Sequence, residues 1–291
     1  MLKCWLSVRP SSLRAASDND IVKFIPKKPR EGINVSDVHP LAEASTLIVG
    51  LIAIFIAIVL LLIFIIEVAL YFVPARTEAE LFADWMPEDL MTVSPGDERL
   101  YQTQLLVDRL ASHWAEAPYK FRVEVDDSEL ANAMALPGGL IIVTQGLLDE
   151  VESENELAFV LGHELGHFRN RDHLRALGRG IVISLFFAVI TGNDVAGLGI
   201  KATDIALRGF SREQESKADE FGLAVVQAEY GHVHQASRLF ERWDDADDNT
   251  RAFITYLSTH PQPGDRVQNL RAIADRDGWR TDGQITPLKW Q

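Results

Sequence analysis

The sequence predicts a mainly helical α+β domain with a small sheet, tethered by one N-terminal transmembrane helix. Three observations carry that reading. The run "LIVGLIAIFIAIVLLLIFII", Leu47 to Ile66, holds twenty residues without a charge or a strongly polar group. A β-branched run, "LIIVT" from Leu140, follows a Pro137-Gly138-Gly139 turn. Two later stretches carry helix-start signatures, Ser153 with Glu156 and Ser211 with Gln214, each leading into polar side chains at four-residue spacing.

In chain order, residues 1–44 mix Ser, Pro and both charge signs without periodicity, and read as a flexible cytoplasmic tail. Residues 45–73 form the anchor, because twenty helical residues reach about 30 Å, the thickness of a bilayer core. A buried core helix or a cleaved signal peptide would share that composition. The long polar region ahead of it and the length of the run favour an uncleaved anchor. Lys27, Lys28 and Arg30 precede the span, while Arg76 alone follows it before Glu78, Glu80, Asp84, Glu88 and Asp89. That bias places residues 74–291 across the membrane from the tail, on the periplasmic side of an inner (plasma) membrane crossed once. A mitochondrial inner membrane is the alternative, since Arg9, Arg14 and several serines resemble a transit peptide, as is a C-terminal domain facing the cytoplasm.

The 291 residues are 47% hydrophobic, ample for a core, and the net charge of -14 without a basic aromatic patch argues against nucleic acid as a partner. Cys4 is the single cysteine. A bound metal would therefore rest on His, Glu or Asp.

Such residues gather in "FVLGHELGHFRNRDH", Phe159 to His173. With a helix beginning near Glu154, His163 and His167 project one turn apart on one side, where two imidazoles can bind one ion. Glu164 lies beside them, able to take a proton from activated water and pass it to a leaving amine. This is the H-E-x-x-H pattern of zinc proteases.

Two residues compete to be the third ligand. His173 lies six residues after His167, the metzincin spacing, with Asn170 in the glycine position. All four methionines, Met1, Met86, Met91 and Met134, lie upstream, so the Met-turn of that family has no candidate and His173 reads as a surface or supporting residue. The rival is Glu215 in "SREQESKADEFGL", with Asp219 one turn on to hydrogen-bond a ligating imidazole. An acidic pair on a helix is otherwise a solvated face. Two His, one Glu and a water would make an open catalytic site, and that reading is preferred.

With these passages in hand, the sequence resembles the gluzincin-type membrane zinc endopeptidases that include HtpX, the CAAX prenyl protease and the mitochondrial OMA-type protease. "NAMALPGGLIIVTQGLL" from Asn132, "HELGH" from His163, "SREQESKAD" from Ser211 and "STHPQPGDRV" from Ser258 carry the likeness, which spans roughly Glu98 to Ile273. It implies a zincin-like metallopeptidase domain over residues 74–291, one zinc ion per chain on His163, His167 and Glu215, and Glu164 as catalytic base. It also implies that Ala133 to Ala135 border the cleft and pair with an extended substrate by strand addition. Asn132 and His260 would orient substrate or stabilise the oxyanion, with a turn role for Asn132 and a capping role before Pro261 for His260 as alternatives.

The chain has one span and no helical repeats after the motif region, unlike some relatives, so prenylated substrates are not implied. "GIVISLFFAVITG", Gly180 to Gly192, is short for a span and reads as a buried or membrane-leaning helix, with a second span in the HtpX manner as the alternative. The expected function is hydrolysis of membrane-associated or misfolded polypeptides by zinc-activated water. The alternative is a tethered quality-control or binding module whose zinc site is structural or idle.

Overall fold

The first helix, α1 (Pro40–Phe72), carries the whole apolar run in 33 residues. In this computed structural model the described residues are 27, 39–82, 97–191, 209–245, 259–260 and 266–290. Most of the N-terminal tail, including Lys28 and Arg30, lies outside them, as do Asp84, Glu88, Asp89, Pro261 and Gly192. Among the described helices, α1 is long and apolar enough to cross a membrane, and none of its apolar window is buried by protein. Leu47 is 73% exposed and Leu60 60%. The chain divides into two compact units, Met1–Ala53 and Ile54–Gln291, with the boundary inside α1. In the first unit the described residues are Lys27, His39 and the opening turns of α1.

The second unit holds the rest of α1 and every other element. After α2 (Ala75–Leu81) comes α3 (Glu98–Ser112), whose free N–H groups at Arg99 and Leu100 are capped by the Asp97 side chain. Three strands follow: β1 (Arg122–Asp126), β2 (Ala133–Leu136) and β3 (Leu140–Thr144). Their order is β1-β3-β2, with β1 parallel to β3 and β2 antiparallel to it in the register Ala133↔Val143 through Leu136↔Leu140. All five residues of β3 are buried, as a β-branched run in a central strand requires. The tight β2–β3 connection depends on Gly138 and Gly139, both at positive φ (83° and 87°). At Gly138 a Cβ would also fall 2.2 Å from the Phe82 carbonyl oxygen.

From β3 the chain passes through α4 (Gln145–Glu150) into α5 (Glu154–Asn170), which opens where its sequence signature predicts. Ser153 accepts from Glu156 N, but the Glu156 carboxylate accepts from Glu152 N and from Arg242 instead of turning back to Ser153. Every α5 residue from Glu154 to Phe168 is buried, so this polar-looking helix is the core helix of the fold. It is followed by α6 (Asp172–Thr191), α7 (Arg212–Tyr230), α8 (Arg238–Asp245) and α9 (Arg266–Asp277). The capping box at Ser211 and Gln214 is complete. Part of the short apolar stretch on α6 is exposed, at Ile181 and Leu185, and part is buried, at Val182, Ser184 and Ala188.

What places α7 against α5 is a run of small residues on each. A Cβ at Gly166 would come 2.7 Å from Ala218 Cα, one at Gly162 2.7 Å from Val225 Cγ2, and one at Gly222 2.8 Å from His163 N. With glycine at these three positions, the backbones approach closely enough for the Glu215 side chain to reach the α5 histidines. The glycines of "LGHELGH" are thus packing residues between the functional ones.

Candidate metal centre

His163, Glu164, His167, Glu215 and His260 are all essentially excluded from solvent. The His163 and His167 Nε2 atoms lie 3.0 Å apart. Glu215 Oε2 is 3.4 Å from His163 Nε2, and Glu215 Oε1 is 3.5 Å from His167 Nε2. His260 Nδ1 approaches His163 Nε2 at 3.2 Å and Glu215 Oε1 at 3.3 Å. These four side chains form a group able to hold a metal ion.

The donor set fits that role. A tetrahedral ion with bonds of about 2.0–2.2 Å sets its donors roughly 3.3 Å apart, the spacing found here. Each α5 imidazole also turns its other nitrogen to a carboxylate: His163 Nδ1 to Asp219 Oδ1 at 2.8 Å, and His167 Nδ1 to Asp172 Oδ2 at 3.1 Å. With Nδ1–H donating outward, both Nε2 lone pairs face the same point, and a cation resolves that convergence. Among the described residues, the buried Glu215 Oε2 and the two carboxylate oxygens of Glu164 make no hydrogen bond.

Electrostatics follow the geometry. Burial works against the Glu215 charge, but His260, His163 and His167 outweigh it and hold the carboxyl well below the usual range. Asp219 is likewise depressed: burial opposes its charge, and the Arg266 guanidinium and His163 overcome that. Asp172 is lowered against burial by His167, Gln214 and Arg175. Burial favours a neutral His167, yet its bonds to Asp172 and Glu215 and the charge of Glu164 push it up to about 10. The pocket is built to hold positive charge.

His163, Glu164, His167, Glu215, Asp219 and His260, all candidates from the sequence, come together in the fold. Asn132 and Ala133 border them: Asn132 Oδ1 accepts from Ala133 N and from Thr259 Oγ1, and His260 Nε2 lies 3.4 Å from the Ala133 carbonyl oxygen. Ala135 sits two residues on along β2, which pairs on one side only among the described residues.

His173 is a correction. It is a buried residue, not a surface one, and its Nε2 bonds Glu78 Oε1 at 2.8 Å, away from the metal-site donors. Glu78, in the acidic run that follows the span, is buried too and accepts from Tyr119 Oη at 2.5 Å.

Three residues acting on the site escaped sequence reasoning. Asp172 is the partner of His167, and Gln214 Nε2 steadies Asp172 Oδ1 at 2.6 Å while its Oε1 completes the α7 capping box. Arg266, glimpsed only as a downstream arginine, holds Asp219 Oδ1 at 2.5 Å and covers the Phe240 ring at 4.2 Å. The local signal for Asp172 was a carboxylate just past the helix end, which is common and says little alone.

Residues 98–274, more than half of the chain, match a sequence model of peptidase family M48. The chain belongs to peptidase family M48. It is similar to the mitochondrial metalloendopeptidase OMA1 of Schizosaccharomyces pombe, at 27% identity over 215 residues covering 72% of this chain and 62% of the relative. The zebrafish (Danio rerio) protein named metalloendopeptidase OMA1, mitochondrial, is 27% identical over 213 residues, 67% of this chain and 45% of its own. A protease HtpX homolog of Acidiphilium cryptum is 32% identical over 217 residues, 59% of this chain and 73% of the relative. The chain thus spans about half to under two thirds of the two OMA1 relatives. The M48 region begins at α3 and ends on α9, so it contains β2, both α5 histidines, Glu215 and His260.

Proposed function

We propose that this M48 chain is a membrane-anchored, zinc-dependent endopeptidase with His163, His167 and Glu215 as metal ligands and Glu164 as catalytic base. The observation carrying this is the convergence of three donors beside a buried Glu164 carboxylate whose oxygens make no hydrogen bond among the described residues. A general base needs an oxygen available to the reacting water, and this carboxylate offers one. Zinc bound there would supply a Lewis acid for the scissile carbonyl and activate water near neutral pH.

The remaining steps belong to the chain's own groups. Glu164 takes the water proton and returns it to the leaving amine. Asp219 and Asp172 hold the two imidazoles by their Nδ1–H groups and so keep Nε2 available. His260, with Nε2 near both Ala133 O (3.4 Å) and Glu164 Oε1 (3.5 Å), lies between the substrate strand and the base, and donates to the developing oxyanion. Asn132 O accepts from Thr144 N, which makes that position a hydrogen-bonded pair and turns the backbone groups of Ala133 and Ala135 to the open side of β2. An extended polypeptide adds there as a fourth strand. The anchor Leu47–Ile66 restricts such substrates to proteins at or near the bilayer, and the Lys27, Lys28 and Arg30 flank places residues 74–291 on the non-cytoplasmic side of an inner membrane.

One observation favours the rival reading of a closed structural site: His260 Nδ1 is close enough to His163 and Glu215 to be a fourth donor. Metal content and hydrolysis of an unfolded protein in wild type, Glu164→Gln and His260→Ala decide between them. An open catalytic centre keeps zinc in both variants, loses turnover in Glu164→Gln and slows strongly in His260→Ala. Zinc released from His260→Ala, with wild-type turnover in Glu164→Gln, establishes the structural site.

A further inference from the structure

Arg171 ends α5 in the left-handed region, at φ 59°. A residue with a Cβ is strained there, and glycine is the usual occupant of such a helix end. The side chain explains the exception. Arg171 Nη1 donates to the carbonyl oxygens of Leu70 at 2.6 Å and Val73 at 2.5 Å, where the helical hydrogen bonding of α1 runs out. Its Nε lies 3.6 Å from the buried Glu78 Oε2 of α2. One turn along α6, Arg175 Nε binds Glu67 Oε2 at 2.7 Å, and Gly178 lies so close to Ile66 that a Cβ would come 2.8 Å from its Cγ2. The last turns of the membrane helix are thus gripped by the residues that directly follow the histidine helix.

The very next residue is Asp172, the carboxylate facing His167 Nδ1. A single rigid peptide unit therefore separates a group that holds the anchor from a group that orients a metal ligand. We propose that Arg171 and Asp172 act as linked positioning residues: seating of the end of α1 fixes the left-handed turn, and the turn sets Asp172 against His167. The inference rests on the metal centre proposed above, and it makes the membrane helix part of the machinery that aligns that centre as well as a tether.

The test is zinc affinity of the full chain in lipid nanodiscs, read by chelator competition, alongside the unfolding midpoint of the metal-free protein. Arg171→Gly suits it because glycine keeps the left-handed turn without strain while deleting the guanidinium. Zinc affinity is expected to fall by about 10-fold in Arg171→Gly and by about 10- to 100-fold in Asp172→Asn, the range for a lost outer partner of a ligating histidine. In the Asp172→Asn background Arg171→Gly should cause no further loss, since both act through one contact. Arg171→Lys, retaining a donor, should recover part of the affinity. A purely structural Arg171 would shift the unfolding midpoint in both backgrounds and leave affinity unchanged, and that result overturns the coupling, as does a full additional loss in the double variant. Unchanged affinity in His167→Ala would instead remove the metal centre itself, a different outcome from its loss there with Arg171→Gly unaffected.

Discussion

The two imidazoles of the H-E-x-x-H helix are supported in different ways. His163 is held by Asp219 of α7, and Asp219 in turn by Arg266 of α9, a guanidinium 6% exposed that lies between carboxylate and aromatic rings. His167 is held by Asp172 at the start of α6, steadied by the neutral Gln214 and by Arg175, whose side chain is 31% exposed and shared with Glu67 of α1. The first support is a closed chain of buried charges. The second is a more exposed one that ends at α1. The difference teaches that one half of the site is built for permanence and the other is open to influence from outside the core.

The largest expected effect tests whether both halves share one ion. Glu215→Ala removes the one carboxylate of the donor group and should abolish stoichiometric zinc, while His173→Ala should retain it, because His173 faces Glu78 and not the donors. Metal analysis of the two purified variants checks this, and the reverse result would restore the metzincin-like ligand set.

Next comes the contrast between the supports. Asp219→Asn and Asp172→Asn should each weaken zinc by about 10- to 100-fold. Their effects on the fold should differ. Asp219→Asn removes a buried carboxylate that a buried guanidinium holds and should cost about 3 kcal/mol of metal-free stability, whereas beyond His167 the partners lost in Asp172→Asn are a neutral amide and a partly exposed Arg175, about 1 kcal/mol. Equal losses in denaturant melts would dissolve the distinction between a permanent and an adjustable half.

Sequence reading reached these two halves unequally. The residues of "HELGH" and Glu215 with Asp219 were legible because helix geometry fixes what stands one turn apart. The β-branched run and the Pro-Gly-Gly turn were legible as a hairpin for similarly local reasons. Asp172 was not, because it lies beyond a left-handed residue at Arg171, where helical periodicity gives no direction for the next side chain. The pairing of Glu78 with His173 joins positions 95 apart in sequence. Nothing local marks one acidic residue in a charged flank as the buried one. Parallel pairing of β1 with β3, and the glycine crossing of α5 with α7, are likewise products of tertiary packing.

That crossing offers the third test. Gly166→Ala places a Cβ 2.7 Å from Ala218 Cα, where backbone must move. It should cost about 1–3 kcal/mol and weaken zinc by separating Glu215 from the histidines, affecting both supports at once. Stability lost with zinc affinity intact would show that the site tolerates a wider crossing than the structure implies.

The smallest effect concerns the buried Glu78 network beside the anchor, set against an exposed acid on α7. Burial opposes the charge of Glu78, but His173, Tyr119 and Arg171 outweigh it, so its folded pKa lies below the ordinary value of 4.5. A depressed carboxylate contributes stability that is complete above its unfolded pKa and is lost as pH falls through the folded one. Glu78→Gln should therefore cost about 1–2 kcal/mol near pH 7, and the gap to wild type should close as pH drops below about 4.5. Glu213 is also lowered, by Lys217, but that pair is fully exposed and screened by solvent, so Glu213→Gln should leave the stability profile nearly unchanged at every pH. Denaturant midpoints of the metal-free proteins from about pH 2 to pH 7 make the comparison without interference from zinc loss. A pH-independent gap for Glu78→Gln would mean that its charge contributes nothing and that packing alone holds α2 to the fold, leaving Arg171 as the remaining charged link between the anchor and the histidine helix.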